Sequence, residues 1–158
     1  MKGVEGMEMI LLPGNNFVVN ENLARKYGYE LSAFLGYLMS VDEANNGIKH
    51  NLPGNNFYAN ENISSKYGLD VAVLLGYLMF VDKTSEHIDD KLWFCQTLEE
   101  IEKRIGMKRR KQEKALKILE KLGIIEKKVM GIPAKRYFKI NYEKANEVVL
   151  NIQEKERE

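Results

Sequence analysis

The sequence predicts a mainly α-helical fold with a small β-hairpin wing, in which a tandemly duplicated helical unit precedes a helix–turn–helix. Three observations carry this. LPGNNFVVNENLARKYGYELSAFLGYLMSVD (12–42) returns as LPGNNFYANENISSKYGLDVAVLLGYLMFVD (52–82) at a constant offset of forty, with 19 of 31 positions identical. Apolar residues recur at helical spacing through both copies and again from 98 to 122. Near the end, the Gly/Pro-bearing stretch Met130–Ala134 separates two short runs suited to strands.

Each copy is expected to fold alike. Leu-Pro-Gly-Asn suits a type II turn, with Pro13 or Pro53 setting φ and Gly14 or Gly54 supplying φ > 0. An extended piece follows, Phe17–Val19 or Phe57–Ala59. Asn20 and Asn60 are then N-caps for a short helix ending at Gly28 or Gly68. The second helix of each copy is apolar at 31, 34, 35, 38 and 39, or at 71, 74, 75, 78 and 79, which predicts one buried face. Gly36 and Gly76 lie inside these helices at a cost of about 1 kcal/mol each against alanine. A close crossing of the two long helices, related by a pseudo-twofold axis, would explain them; simple inheritance with the duplication is the alternative. Tyr27, Tyr37, Tyr67 and Tyr77 suit core or interface positions. The repeated Gly-Asn-Asn lacks the Lys-Ser/Thr of a phosphate loop and is expected to be a turn.

After a polar connection (84–91), Leu92–Gln96 is an aromatic, strand-like stretch. Thr97 with Glu100 forms a capping box for a helix over about 98–105, whose inner face is Leu98, Ile101 and Ile105. Gly106 breaks that helix and Met107 plugs the turn. A second helix spans about 109–122, with Ala115, Ile118, Leu119 and Leu122 inside, Leu116 flanking, and Gly123 at C′. Strands at 124–129 and 136–140 then flank the hairpin tip. A last helix, about 142–155, is apolar at Ala145, Val148, Val149 and Ile152. The expected organisation is thus a first repeat (1–50), a second repeat packed with the following unit (51–90), a helix–turn–helix with wing (91–141) and a C-terminal helix and tail (142–158). Helix, tight turn, helix and hairpin is the layout of a winged helix-turn-helix.

The charge is divided between the halves. Over the full chain of 158 residues it sums to +1. Residues 1–87 hold six Lys/Arg against ten Asp/Glu, net −4, and residues 88–158 hold eighteen against thirteen, net +5. The window 103–139 holds fourteen basic residues against Glu113, Glu120 and Glu126, net +11, the signature of an anionic partner. With 44% hydrophobic and 30% charged residues the composition is that of a globular domain rather than a disordered one. A single cysteine, Cys95, excludes an internal disulfide. Glu5 and Glu8 interrupt the opening where a signal peptide needs an apolar run, and no apolar window reaches membrane-span length. A cytoplasmic protein is expected.

TLEEIEKRIGMKRRKQEKALKILEKLGIIEKK (97–128), followed by GIPAKRYFKIN (131–141), resembles the winged-helix domain of bacterial phage and plasmid replication proteins, including replisome organisers and DnaD-like initiation proteins. Phe57, Asn60, Ile63, Gly68, Ala72 and Leu75 resemble the segment that precedes that domain. The resemblance covers about 55–141, and 12–51 as an extra copy. MarR-like regulators share the ALKxLExxGxI phrase. The chain departs from the pattern at Lys108, where a Ser or Thr cap is usual, and in its doubled N-terminal unit.

The layout and the charge together lead to double-stranded DNA. Projected at 100° per residue, the helix 109–122 leaves Arg109, Arg110, Glu113, Lys114, Lys117 and Lys121 outward, and a helix of this width fits the major groove. Arg109 and Arg110 suit guanine edges, which a guanidinium grips in bidentate fashion. Lys108, Lys111, Lys114 and Lys117 suit phosphates. On the wing, Lys127, Lys128, Lys135 and Arg136 suit the flanking backbone or the minor groove. No metal, cofactor or catalytic constellation is expected: His50 and His87 read as surface loop residues without Cys or carboxylate partners at metal-ligand spacing, Cys95 as a small buried hydrophobe, and Asp89 and Asp90 as polar loop. Three readings stay open. They are a replication or partition protein, a transcriptional regulator whose duplicated half dimerises or senses a ligand, and an adaptor whose winged helix docks a protein such as a helicase or loader. A homodimer through the repeat helices or the last helix competes with a monomer whose two repeats satisfy each other.

Overall fold

The computed structural model describes residues 11–88 and 92–158. The first copy forms strand β1 (Asn16–Asn20), helix α1 (Glu21–Tyr27) and helix α2 (Tyr29–Asn46); the second forms β2 (Asn56–Asn60), α3 (Glu61–Tyr67) and α4 (Leu69–Thr84). Then come β3 (Phe94–Cys95), α5 (Leu98–Ile105), α6 (Arg109–Lys121), β4 (Ile125–Met130), β5 (Lys135–Ile140) and α7 (Tyr142–Glu156). The molecule is mainly helical, with a two-stranded sheet β1-β2 and a three-stranded sheet β3-β5-β4, both antiparallel. Asp89 and Asp90, and the opening with Glu5 and Glu8, lie outside the described residues.

The turn chemistry of each repeat sets its strand. Gly14 and Gly54 adopt φ of +86° and +98°, as the Pro-Gly turns require. Asn16 and Asn56 then hydrogen-bond back to the carbonyls of Leu12 and Leu52, at 2.8 and 2.9 Å. β1 and β2 pair about Val18↔Tyr58, with Asn16 opposite Asn60 and Asn20 opposite Asn56. The bonds between the two turn-and-strand segments are therefore duplicated. Asn20 Nδ2 donates to Pro53 O and Asn60 Nδ2 to Pro13 O, at 3.0 and 2.9 Å. The same two amides reach Asn56 Oδ1 and Asn16 Oδ1, while Glu21 N and Glu61 N donate to Asn55 O and Asn15 O. In addition, Asn20 and Asn60 cap α1 and α3 by accepting from Leu23 N and Ile63 N at 3.1 Å. One side chain thus joins the two repeats and starts a helix. Asn60→Ala is expected to cost roughly 2–3 kcal/mol, one cap and two cross-repeat bonds, in chemical denaturation. A loss under about 0.5 kcal/mol, the level of an ordinary surface change, would show the network to be dispensable.

The repeats meet through these strands, not through their long helices. α2 and α4 touch only marginally, near their N-termini, where the Tyr29 hydroxyl donates to the Asp70 carboxylate. The crossing expected at Gly36 and Gly76 is accordingly corrected: each glycine faces the strand of the β1-β2 ribbon that underlies its helix. A Cβ on Gly36 would stand 1.7 Å from Val18 O, and one on Gly76 2.1 Å from Tyr58 O. Glycine is needed there because a helix lies directly on strand backbone.

The second correction concerns burial. α4 is the central helix, enclosed by β2, α3 and α6, and Val71, Leu74, Leu75, Leu78 and Met79 are all buried. In α2 the matching Leu31, Phe34, Leu35 and Leu38 are exposed, and Met39 is only half-buried. Its buried side is instead Tyr29, Ser32, Ala33 and Gly36, against β1 and α1. The tyrosines divide likewise: Tyr77 is core and donates to Gln96 Oε1, Tyr67 is half-buried, and Tyr27 and Tyr37 are exposed.

The C-terminal elements follow the sequence closely. Thr97 and Glu100 form the capping box, Gly106 turns the chain at φ +73°, and Met107 is fully buried beneath the turn. Leu116 belongs to the buried face of α6 with Gln112, Ala115 and Leu119, whereas Ile118 and Leu122 sit half-buried at its rim. The apolar face of α7 (Ala145, Val148, Val149, Ile152) is buried in its own chain, with α7 packed on α3.

Candidate nucleic-acid interface

α6 owes its position to a polar residue in the core. Gln112 is fully buried; its Nε2 donates to Met107 O at 2.7 Å and to Leu98 O at 3.1 Å, tying the helix to the turn and to the start of α5. Its Oε1 accepts from Arg136 Nη2 at 3.3 Å, which ties the helix to the β4–β5 hairpin. With Gln112, Ala115, Leu116 and Leu119 inside, the opposite face of α6 presents Arg110, Glu113, Lys114, Lys117 and Lys121, all exposed. Arg110, Lys114, Lys117 and Lys121 form no ion pair among the described residues. α6 also starts without a side-chain cap and without an acid in its first turn, and Lys108, Arg109 and Arg110 are exposed at that end.

Other candidate residues are engaged. Arg109 Nε donates to Glu113 Oε1 at 2.8 Å; this bond raises the arginine's pKa and lowers the glutamate's. Lys108 Nζ reaches Glu102 at 2.6 Å. Lys111 turns away from the outward face to α2, where it meets Glu30 at 2.7 Å and lies over the Tyr29 ring; the bond to Glu30 raises its pKa. These are exposed pairs that an anionic partner can open at small cost.

The β4–β5 hairpin has two unlike faces. Residues opposite one another across the hairpin share a face, so Lys127, Val129, Arg136 and the buried Phe138 turn towards α6. Lys127 lies 3.3 Å from Glu120 of α6. Arg136 is half-buried over the Phe138 ring, and burial lowers its pKa. It braces wing against helix. Lys128 and Lys135 lie on the other face, with Lys128 Nζ 4.0 Å from the Trp93 ring centre.

No family model, curated protein or solved structure matches this chain. Its functional reading therefore stands on its own geometry.

Two features escaped the sequence reading. Gln112 was signalled by its phase, a polar residue at the core spacing 112, 115, 116 and 119. The second is a groove of about 570 Å³ between α3, α6 and α7, rimmed by Lys66, Lys121, Lys144 and Lys155, which extends the basic surface past the end of α6. It draws on three separate elements, and no local pattern announces it. The histidines lie in exposed loops and each meets one carboxylate: His50 pairs with Asp42 at 2.5 Å and His87 with Asp82 at 2.6 Å. Asp82 also accepts from the Tyr142 hydroxyl, which makes it a junction between α4 and α7. No group of three or more metal-ligating side chains occurs among the described residues. Cys95 is half-buried, and burial pushes its thiol pKa up, away from a nucleophile's range.

Proposed function

We propose that the protein is a winged helix-turn-helix that binds double-stranded DNA, with α6 in the major groove and the β4–β5 hairpin against the flanking backbone. The observation that carries this is the outward face of α6, where Arg110, Lys114, Lys117 and Lys121 are exposed and form no ion pair among the described residues, beside a helix N-terminus without a side-chain cap. Arg109 and Arg110, nearest that end, suit base edges, while Lys108, Lys114, Lys117, Lys121, Lys127 and Lys135 suit phosphates. The pairs at Arg109, Lys108 and Lys111 would open or be shared on binding. Arg136 serves by holding the wing. The resemblance to phage and plasmid replication proteins favours a role in replication initiation, with repeated sites at an origin. A single promoter palindrome among selected duplexes would favour transcriptional control instead.

The test is duplex affinity as a function of salt. With about five phosphate contacts, affinity should fall on the order of 10²- to 10³-fold between 50 and 200 mM salt. Lys117→Ala should reduce the slope by about one unit, while Arg109→Ala and Arg110→Ala should each cost roughly 1–3 kcal/mol and relax sequence preference. Affinity that is flat in salt, or indifferent to the two arginines, sinks the DNA reading and leaves a protein-docking winged helix.

A further inference from the structure

The duplication left one helix face covered and its twin bare. On α4, Val71, Leu74, Leu75, Tyr77, Leu78 and Val81 are at most 2% exposed, because the C-terminal elements pack over them. Their counterparts on α2 (Leu31, Phe34, Leu35, Tyr37, Leu38, Val41) are 37% to 60% exposed. Among the described residues there is one helix–turn–helix and there are two faces of this kind, and α6 has already committed its apolar side to α4. The remaining large exposed apolar residues, such as Leu11, Ile48, Leu92, Val129, Ile132 and Leu150, are dispersed over other elements.

We propose that α2 is the interface of a homodimer in which two copies of the chain pack this face antiparallel on itself. Leu31, Phe34, Leu38 and Val41 follow the alternating three- and four-residue spacing of a helix-pairing seam, with Leu35 and Tyr37 along its edges. Together the six side chains expose roughly 500 Å², the upper range for the largest apolar patch on a soluble monomer. Pairing two copies removes about 1,000 Å² before any rim is counted, the size at which a specific interface begins. Shape agrees. Beside the seam, Phe17, Ala33, Ser64 and Leu69, together with Glu30 and Glu61, line a groove of about 390 Å³, which can receive a side chain projecting from the other copy.

Charge selects the direction. α2 carries Glu30, Asp42 and Glu43 and no Lys or Arg. Lys111 stands at its N-terminal end on Glu30, and Asp42 and Glu43 lie at its C-terminal end. A parallel pair would set Asp42 and Glu43 against their own copies. An antiparallel pair sets them near the other copy's Lys111 and opposes the two helix dipoles.

Sedimentation equilibrium on the full chain from 1 to 100 µM tests this. The mass should rise from the 18.3 kDa of one chain to twice that value, with the dimer dominant by tens of micromolar. The double substitution Phe34→Glu with Leu38→Glu should stay monomeric over the whole range, with an unchanged circular-dichroism spectrum, since both positions are exposed in the single chain. Ile132→Glu, at the fully exposed wing tip, should dimerise like the unaltered protein. The dimer should persist at 500 mM salt, where duplex affinity is lost, so the two proposals fail separately. A monomer at 100 µM overturns the inference without any variant, as does a double variant that still dimerises. So does a monomer whose α2 face takes up a different protein.

Discussion

Gly76→Ala should destabilise the protein by roughly 3 kcal/mol, the upper range for overpacking a filled site, although alanine is the better helix former. Placed on the helix backbone, the new Cβ would lie 2.1 Å from Tyr58 O and 2.9 Å from its carbonyl carbon. Neither atom can yield, because Tyr58 sits at the centre of the β1-β2 ribbon, opposite Val18. α4 cannot back away either, since α6 and the rest of the core close its far side. The twin substitution sharpens the argument. At Gly36 the clash is tighter, 1.7 Å from Val18 O, yet the far side of α2 is open to solvent. α2 can therefore tilt outward, and Gly36→Ala should cost less than Gly76→Ala. Denaturant midpoints of the two variants decide the matter; a gain in stability at residue 76 would mean that the helix does not rest on the strand.

Arg104→Met is expected to cost about 3–5 kcal/mol, the penalty for leaving a buried charge without its partner. Arg104 Nε and Nη2 donate to the two carboxylate oxygens of Glu21 at 2.8 and 3.1 Å, a bidentate pair. The Glu21 side chain is only 8% exposed, so water cannot take the arginine's place. The guanidinium also lies 5.3 Å from the Tyr77 ring centre and 6.0 Å from that of Phe80. This one side chain thus joins α5, the first repeat and the central helix. Removing both charges, as Glu21→Gln with Arg104→Met, should restore a large part of the stability, because the cost lies in the orphaned carboxylate. Should the double variant be as weak as the single one, packing of the arginine stem would be the dominant contribution. Because the pair attaches the first repeat to α5, the proposed DNA binding predicts that Arg104→Met also lowers duplex affinity without touching the outward face of α6.

The two proposals combine in a definite way. A dimer through α2 carries two copies of α6, and twofold symmetry in the protein asks for an inverted repeat in the DNA. Duplexes selected by the unaltered protein should then contain paired half-sites, and the monomeric α2 variant should retain single half-sites at lower affinity.

Much of the local structure was legible because its causes are local. Asn20, Asn60 and Thr97 sit where caps must be, Gly14 and Gly54 take the positive φ their turns need, and Met107 fills the turn before α6. The outward residues of α6 were legible for the same reason: one helix period suffices to divide inside from outside. Leu116 against Ile118 marks the resolution of that method, since both lie near the margin and the neighbouring elements decide which is covered. Glu21 and Arg104 lie 83 residues apart, and no spacing rule connects them.

By itself the sequence determined that the chain holds two copies of a strand–helix–helix unit followed by a helix–turn–helix, a hairpin and a helix, and that its positive charge gathers around α6. Only the tertiary structure decided what each copy does. α2 and α4 share the same apolar pattern, yet one face is core and the other is surface, because among the described residues α6 packs on α4 and not on α2. Periodicity records that a helix has an apolar side; whether that side is buried depends on what arrives to cover it, and that contact is made between residues far apart along the chain.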